Sequence, residues 1–221
     1  MANTKICSIL ALNIYKILIT IKNLQSTMKF GAAIIAGGKS TRFEGQNKAL
    51  ISVLGETILN RNIQTLQTLF EEIHIVSNNA SDFLYTGIPV FSDVFKEIGP
   101  LGGIYTALMY SNCEAVFIFS CDMPFLSAEL IKEIMLDFTK KDTQILIPQI
   151  LNKIEPLHAI YSSTVLQTLK EYLINTEEYK IRLFFPKVHT SYLALENSKE
   201  NQKAFLNMNA ATDIKSIEDF M

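Results

Sequence analysis

Two clusters in this chain of 221 residues have the composition of a phosphate and metal site. The first is Gly37-Gly38-Lys39-Ser40-Thr41-Arg42, with Lys48 six residues further on. Glycines let backbone N–H groups reach phosphate oxygens with no Cβ in the way, and Arg42 and Lys48 can bring positive charge to the same anion. A lone Gly-Gly is usually an ordinary turn. Here an apolar run ending at Ile35-Ala36 precedes it and two cations follow, which puts phosphate binding ahead. The second cluster is Cys121-Asp122-Met123-Pro124, at the end of another apolar run. Mg²⁺ takes one or two carboxylates together with waters and substrate phosphates, so a single Asp facing a triphosphate suffices. Asp122 is therefore the candidate metal ligand; a capping Asp before Pro124 is the plainer alternative.

Other residues belong to the same pattern. Asp93 follows Pro89-Val90-Phe91, and Gly99-Pro100-Leu101-Gly102-Gly103 comes soon after. Three glycines and a proline suit a rigid close-approach loop whose free N–H and C=O groups read a base edge or a ribose, although turn chemistry alone accounts for them as well. Asn79, after Ile73-His74-Ile75-Val76-Ser77, adds a polar side chain. Several nucleotide and catalytic motifs fail. A P-loop needs a glycine where Ala33 stands, and no Gly-x-Gly-x-x-Gly or Gly-x-Ser-x-Gly occurs. His74, His158 and His189 are not spaced as a metal set and read as structural. Cys121 reads as a small buried hydrophobe, since nothing near it in sequence would lower its pKa.

The elements that must position these residues alternate between short apolar runs and helical periodicity from Phe30 onward. Strands are expected at residues 30–35, 72–77, 89–91, 115–120 and 144–148, several of them apolar throughout, as in buried parallel strands. Helices are expected from Thr57, with Leu59, Ile63, Leu66 and Phe70 on one face, and after Ser127 as N-cap, with Leu130, Ile131, Ile134 and Phe138 stacked. The expected fold is α/β: a three-layer α/β/α sandwich with a mostly parallel sheet. Residues 149–209 read as a less regular subregion. In this reading residues 1–28 are an extension and residues 29–221 a single domain.

Composition sets limits on partners. A hydrophobic fraction of 48%, a charged fraction of 19% and a net charge of -2 suit a buried core and leave no electrostatic footprint for nucleic acid. Cys7, Cys113 and Cys121 are far apart and odd in number, as reduced thiols in a cytoplasmic protein would be. The apolar residues 6–21 are interrupted by Asn13 and Lys16 and fall short of the ~20 residues of a membrane span. No small-x-small cleavage site follows, so a signal peptide is not expected either. Ile6, Leu10, Ile14, Ile17, Ile21 and Leu24 would share one face of a helix. The extension is expected to be dispensable.

Taken together, Ile35-Ala36-Gly37-Gly38-Lys39-Ser40-x-Arg42-x(5)-Lys48, Gly99-Pro100-Leu101-Gly102-Gly103 and Cys121-Asp122-Met123-Pro124 resemble the molybdenum cofactor guanylyltransferase family in order and spacing. The similarity continues through Glu155-Pro156-Leu157-His158-Ala159-Ile160-Tyr161 to Phe205-Leu206-Asn207-Met208-Asn209. The resemblance implies a glycosyltransferase-A-like nucleotidyltransferase fold and the transfer of GMP from GTP to molybdopterin with release of pyrophosphate. It places Ile35, Ala36, Gly37, Lys48, Asn79, Asp93 and Asp122 on GTP and Mg²⁺ on Asp122. Lys48 and Arg42 join Asp122 in the catalytic set by neutralising the leaving group. On the pterin side it places Asn207 and Asn209, with Lys180 or Arg182 as candidate contacts to the pterin phosphate. A monomer is expected, with molybdoenzymes or their chaperones as candidate recipients and with neither nucleic acid nor membrane as partner. Two positions depart from the family pattern: Glu44 stands where a glycine is usual and Asn47 where an Asp precedes the lysine. A cytidylyltransferase on the same pterin and a non-catalytic nucleotide-binding carrier remain as alternatives.

Overall fold

The structure is a computed structural model that describes residues 28–37 and 55–208 in full and the backbone of residues 42–43, 46–47 and 52–53. Its centre is β1 (Phe30–Ile35), whose Gly31-Ala32-Ala33-Ile34-Ile35 run is buried on both faces. Such a strand has no polar side to offer water, so it must be covered by helices above and below. On one side β1 pairs in parallel with β6 (Glu72–Val76), which pairs in parallel with β7 (Val90–Phe91). On the other it pairs in parallel with β8 (Ala115–Ser120), from Phe30↔Ala115 to Ile35↔Ser120. The chain thus departs from β1 in both directions, which makes a topological switch point at the carboxyl ends of β1 and β8.

The sheet continues beyond β8. β11 (His158–Ser162) runs antiparallel between β8 and β9 (Ile145–Ile150), and β12 (Thr190–Leu195) lies parallel to β9 along all six of its residues. β10 (Lys153–Ile154) forms a hairpin with the end of β9. Of residues 149–209, expected as an irregular subregion, the described residues 149–208 therefore complete the main eight-stranded sheet. Long-range pairing with β8 decides their conformation, and no local periodicity announces that. Two further pairs of two-residue strands lie outside the main sheet: β2 (Arg42–Phe43) with β3 (Gln46–Asn47), and β4 (Ser52–Val53) with β5 (Glu56–Thr57).

Helices cover both faces. On one lie α1 (Ile58–Gln67) and α3 (Ala128–Lys140), whose Leu59, Ile63, Leu66, Leu130, Ile131, Ile134 and Phe138 join Ala32, Ile34, Phe117 and Phe119 in one core. Both start where a side chain accepts a hydrogen bond from the first turn: Thr57 from Asn60 N and Ser127 from Leu130 N. On the other face α2 (Pro100–Tyr110), α4 (Leu166–Asn175) and the short α5 (Ile181–Phe184) pack against Ala33, Ile35, Val116 and Ile118. A last helix, α6 (Lys199–Ala204), returns to the first face through Ala204 and Phe205. Among the described residues no helix is long and apolar enough to cross a membrane. Cys113 and Cys121 are both buried and form no disulfide.

Candidate active site

Three chain segments meet at the carboxyl rim of β1 and β8. Ala36 extends the ladder by donating to Val76 O at 2.9 Å, after which Gly37 emerges half-buried. Cys121 N donates to Ile35 O at 3.2 Å, so the turn that carries Asp122 grows directly beside the glycine turn. The strand register produces this juxtaposition: Ile35 and Ser120 are paired, and the next residues of both strands leave the sheet together.

The Asp122 turn is held from several sides. Ser120 Oγ donates to Asp122 Oδ1, which aims the carboxylate. Asn62, buried on α1, donates its amide to Met123 O at 3.0 Å. Met208 N donates to Asp122 O at 2.8 Å, bringing the C-terminal Asn207-Met208 pair against the same turn. Asn207 is thus beside Asp122 although 85 residues separate them in the chain. Cys121 is fully buried in the core, as its neighbours require of a small apolar group.

A second carboxylate flanks Gly37 from the β6–β7 side. Asp93 accepts from Asn78 Nδ2 at 2.8 Å through Oδ2, and its own backbone N–H donates to Asn78 Oδ1 at 3.1 Å. The other oxygen, Oδ1, is buried and has no hydrogen-bond partner among the described residues. A Cβ on Gly37 would lie 3.6 Å from Oδ2, and one on Gly103 would lie 3.8 Å from Oδ1, so Asp93 sits between the glycine turn and the first turn of α2. Burial pushes the Asp93 carboxyl above its ordinary value, while the Asn78 amide pulls it partly back. A buried carboxylate oxygen without a partner wants a hydroxyl, an N–H or a cation.

The expected base-reading loop is built differently. Leu101, Gly102 and Gly103 are buried in the opening turn of α2, and Gly102 N is spent on Gly99 O at 3.1 Å. Their glycines serve packing: a Cβ on Gly102 would come 2.6 Å from Phe95 O, and one on Gly103 would come 3.0 Å from Ile35 Cγ2. Only Gly99, with φ of 73°, needs glycine for its backbone conformation. Thr106 then fastens the loop after β7 by accepting from Val94 N at 3.0 Å while donating to Gly102 O at 2.9 Å.

The remaining expected residues fall into three groups. Asn79 stands at the same rim, where its backbone N–H bonds Ser77 Oγ at 3.2 Å; the side chain that braces Asp93 is that of Asn78. Lys180 and Arg182 are exposed around the start of α5, on the α2 and α4 face, and no contact among the described residues links them to Asp122. Gly38, Glu44, Lys48 and Asn209 lie outside the described residues, as do the side chains of Arg42 and Asn47, whose backbones pair between β2 and β3. His74 and His158 are buried, in keeping with structural roles. Sequence reasoning missed Asn62, Asn78 and Ser120. The Asn-Asn pair after β6 was a visible polar signal, but which Asn faces Asp93 depends on packing.

A family model described as the MobA-like NTP transferase domain matches residues 32–189. The chain belongs to the MobA-like NTP transferase family. A probable molybdenum cofactor guanylyltransferase of Clostridium perfringens is 34% identical over 194 residues, covering 86% of this chain and 96% of that protein. One of Carboxydothermus hydrogenoformans is 34% identical over 188 residues, covering 84% and 93%. The crystal structure of molybdopterin-guanine dinucleotide biosynthesis protein A from Archaeoglobus fulgidus superposes with a TM-score of 0.73 at 21% identity, over 86% of this chain and 97% of that one, which establishes the shared fold. The MobA-like NTP transferase match thus includes the strand ends that present Gly37, Asp93 and Asp122, while Asn207 comes after it.

Proposed function

We propose that this chain transfers the GMP moiety of GTP to molybdopterin, forming the guanine dinucleotide cofactor and releasing pyrophosphate. The observation that carries this is the pairing of the Gly37 turn with Asp122 at adjacent strand ends, in a chain 34% identical to probable molybdenum cofactor guanylyltransferases over most of its length. An oxygen of the acceptor phosphate forms a bond to the α-phosphorus, and the bond to the β-phosphate oxygen breaks. The nucleophile is already ionised at neutral pH, so positioning and charge stabilisation carry the rate and no covalent enzyme intermediate is required.

In this mechanism the backbone around Ala36 and Gly37 approaches the phosphates of GTP, and Asp93, whose Oδ2 lies beside Gly37, contacts the nucleoside. Ser120, Asn62 and Met208 keep Asp122 in place. Lys48 and Arg42 neutralise the pyrophosphate as it leaves, which is the role cations play at developing phosphate charge. Asp122 has the donor type and the half-buried rim position for Mg²⁺, which would supply charge stabilisation to the phosphate oxygens. Asn207, Asn209, Lys180 and Arg182 are assigned to the pterin end of the acceptor by family resemblance, and the bond from Met208 N to Asp122 O, which brings the neighbouring Asn207 near the Asp122 turn, supports that assignment for Asn207. We assign the protein to the cytoplasm, where GTP is available and Cys113 and Cys121 stay reduced.

The test is pyrophosphate release with molybdopterin present, comparing GTP, CTP and ATP with and without Mg²⁺. GTP is expected to be preferred, Asp122→Ala to lower turnover at least about 100-fold and Lys48→Ala to lower kcat/KM by about 10- to 100-fold. Near-normal turnover by Asp122→Ala would overturn the assignment. Preference for CTP would make the enzyme a cytidylyltransferase, and absence of turnover with every nucleotide a carrier.

A further inference from the structure

The antiparallel side of the sheet carries a bulge at the active-site rim. β12 takes one edge of β9 along all six residues, so β10 and β11 share the other edge, the one that faces β8. Six steps of chain from Ile154 to Ile160 stand opposite the three steps of β9 from Gln149 to Leu146, so three residues are extruded between the two strands. They are Glu155-Pro156-Leu157. Extra residues of this kind re-aim side chains and gather beside ligand sites.

The bulge is fixed on the Asp122 side. Leu157 O accepts from Ser120 N at 3.0 Å, and Ser120 is the residue whose hydroxyl aims Asp122. His158 N donates to Glu155 O at 3.1 Å and Tyr161 Oη to Pro156 O at 2.9 Å, so all three carbonyls of the bulge are held. Phe117, Ile160 and Leu146 stand level across the sheet, which puts Gln149 and Ile154 level with Ser120, and Lys153 one residue, about 3.3 Å, beyond them. Glu155 is only 8% exposed, and a buried carboxylate needs a partner. That partner is Lys153, whose Nζ lies 2.9 Å from the buried Glu155 Oε1 in an ion pair without hydrogen-bond geometry. The Lys153 side chain is itself 69% exposed, so the pair adds little stability. Its negative end is inside and its ammonium, with three N–H donors, stands at the rim.

We propose that Lys153 binds the phosphate of the acceptor, the group that attacks the α-phosphorus, and that Glu155 is the positioning residue that holds its ammonium at the rim. This role rests on the nucleotidyl transfer proposed above. The attacking phosphate is an anion that must approach a second anion, the triphosphate, and a cation on the acceptor side offsets that repulsion and orients the attacking oxygen. An ammonium that leans on one carboxylate oxygen keeps N–H donors for a phosphate.

Calorimetric titration of the full chain with molybdopterin, beside the steady-state KM for GTP, tests it. Lys153→Met should raise the Kd for molybdopterin by at least about 10-fold and leave the KM for GTP within about 2-fold of the parent, while Lys153→Arg should recover most of the loss. Glu155→Gln should by itself weaken molybdopterin binding by about 3-fold or more and have no further effect when combined with Lys153→Met, since it acts through the ammonium. An unchanged Kd in Lys153→Met, or equal losses for molybdopterin and GTP, would overturn the proposal. A loss in Glu155→Gln that persists in the double variant would make Glu155 a support of the bulge alone and overturn its positioning role. If the parent binds molybdopterin and releases no pyrophosphate, the transfer reading fails while the Kd series still decides the role of Lys153. A parent that binds no molybdopterin overturns both.

Discussion

At the scale of single residues, the candidate site joins two carboxylates to a turn that, in the proposed reaction, comes close to phosphate. Asp122 is aimed by a hydroxyl donor and pinned through its own carbonyl by Met208, so its position owes more to the backbone than to its side chain. Asp93 has one oxygen bonded to Asn78 and one that is buried without a hydrogen-bond partner among the described residues, so its acceptor capacity is only partly used. Gly37 differs from Gly102 and Gly103 in having room around it among the described residues. Among the described residues a methyl group there meets nothing closer than Asp93 Oδ2 at 3.6 Å, which is ordinary contact. Gly37→Ala should therefore fold normally, with Tm within about 2 °C of the parent. It should nonetheless lose about 10- to 100-fold in kcat/KM for GTP, because the added carbon stands where phosphate approaches. Parallel melting curves and steady-state kinetics check both halves of that expectation.

At the scale of elements, α2 shows how packing overrides a local signal. Glycine-rich segments read as loops because glycine is costly inside a helix. Here Pro100 occupies the first helical turn, where its missing N–H costs nothing, and the two buried glycines let the helix lie against β1 and the loop after β7. Gly102→Ala would bring a carbon 2.6 Å from Phe95 O, a backbone atom with little freedom to retreat. The expected cost is about 1–3 kcal/mol of stability, measured by urea unfolding. The loop bearing Asp93 should shift with it, so GTP affinity should fall as well. The starts of α1 and α3, by contrast, were legible as Thr57 and Ser127 because an N-cap works through its own first turn.

At the scale of the whole molecule, the C-terminal part of the chain closes over β8 and buries His158 among aromatic rings. Its ring lies edge-on to Phe117, Phe119 and Phe205, with centroids 5.0 to 5.9 Å away. Neither ring nitrogen has a hydrogen-bond partner among the described residues, and burial pushes the imidazole down to about 3 from its ordinary 6.5. Below about pH 6.5 the unfolded chain binds a proton that the folded one excludes, so stability falls as pH falls, by up to about 1.4 kcal/mol per pH unit, until about pH 3. Asp93 works in the opposite sense: its raised pKa means the neutral folded acid loses stability as pH rises through that value. Urea unfolding at pH 7 and pH 5 should show the histidine's loss, and His158→Leu should flatten the slope. An unchanged slope in that variant would assign the acid sensitivity to other groups. Because Phe205 is part of this cluster and Asn207 follows it, loosening the cluster in acid should also weaken the acceptor side of the site.

Composition and pattern alone determined a buried, mostly parallel sheet, the helices that start near Thr57 and after Ser127, and the choice of Gly37 and Asp122 as candidate site residues, since strand burial, helical periodicity and glycine turns are written in adjacent residues. Those signals are local, and a local signal survives without knowledge of what packs against it. Tertiary structure decided the rest. The antiparallel insertion of β11 between β8 and β9, the use of Asn78 rather than Asn79 to brace Asp93, and the arrival of Asn207 beside Asp122 all join residues distant in the chain. Each depends on which surfaces the sheet brings together, and period and spacing hold no record of a contact made 85 residues away.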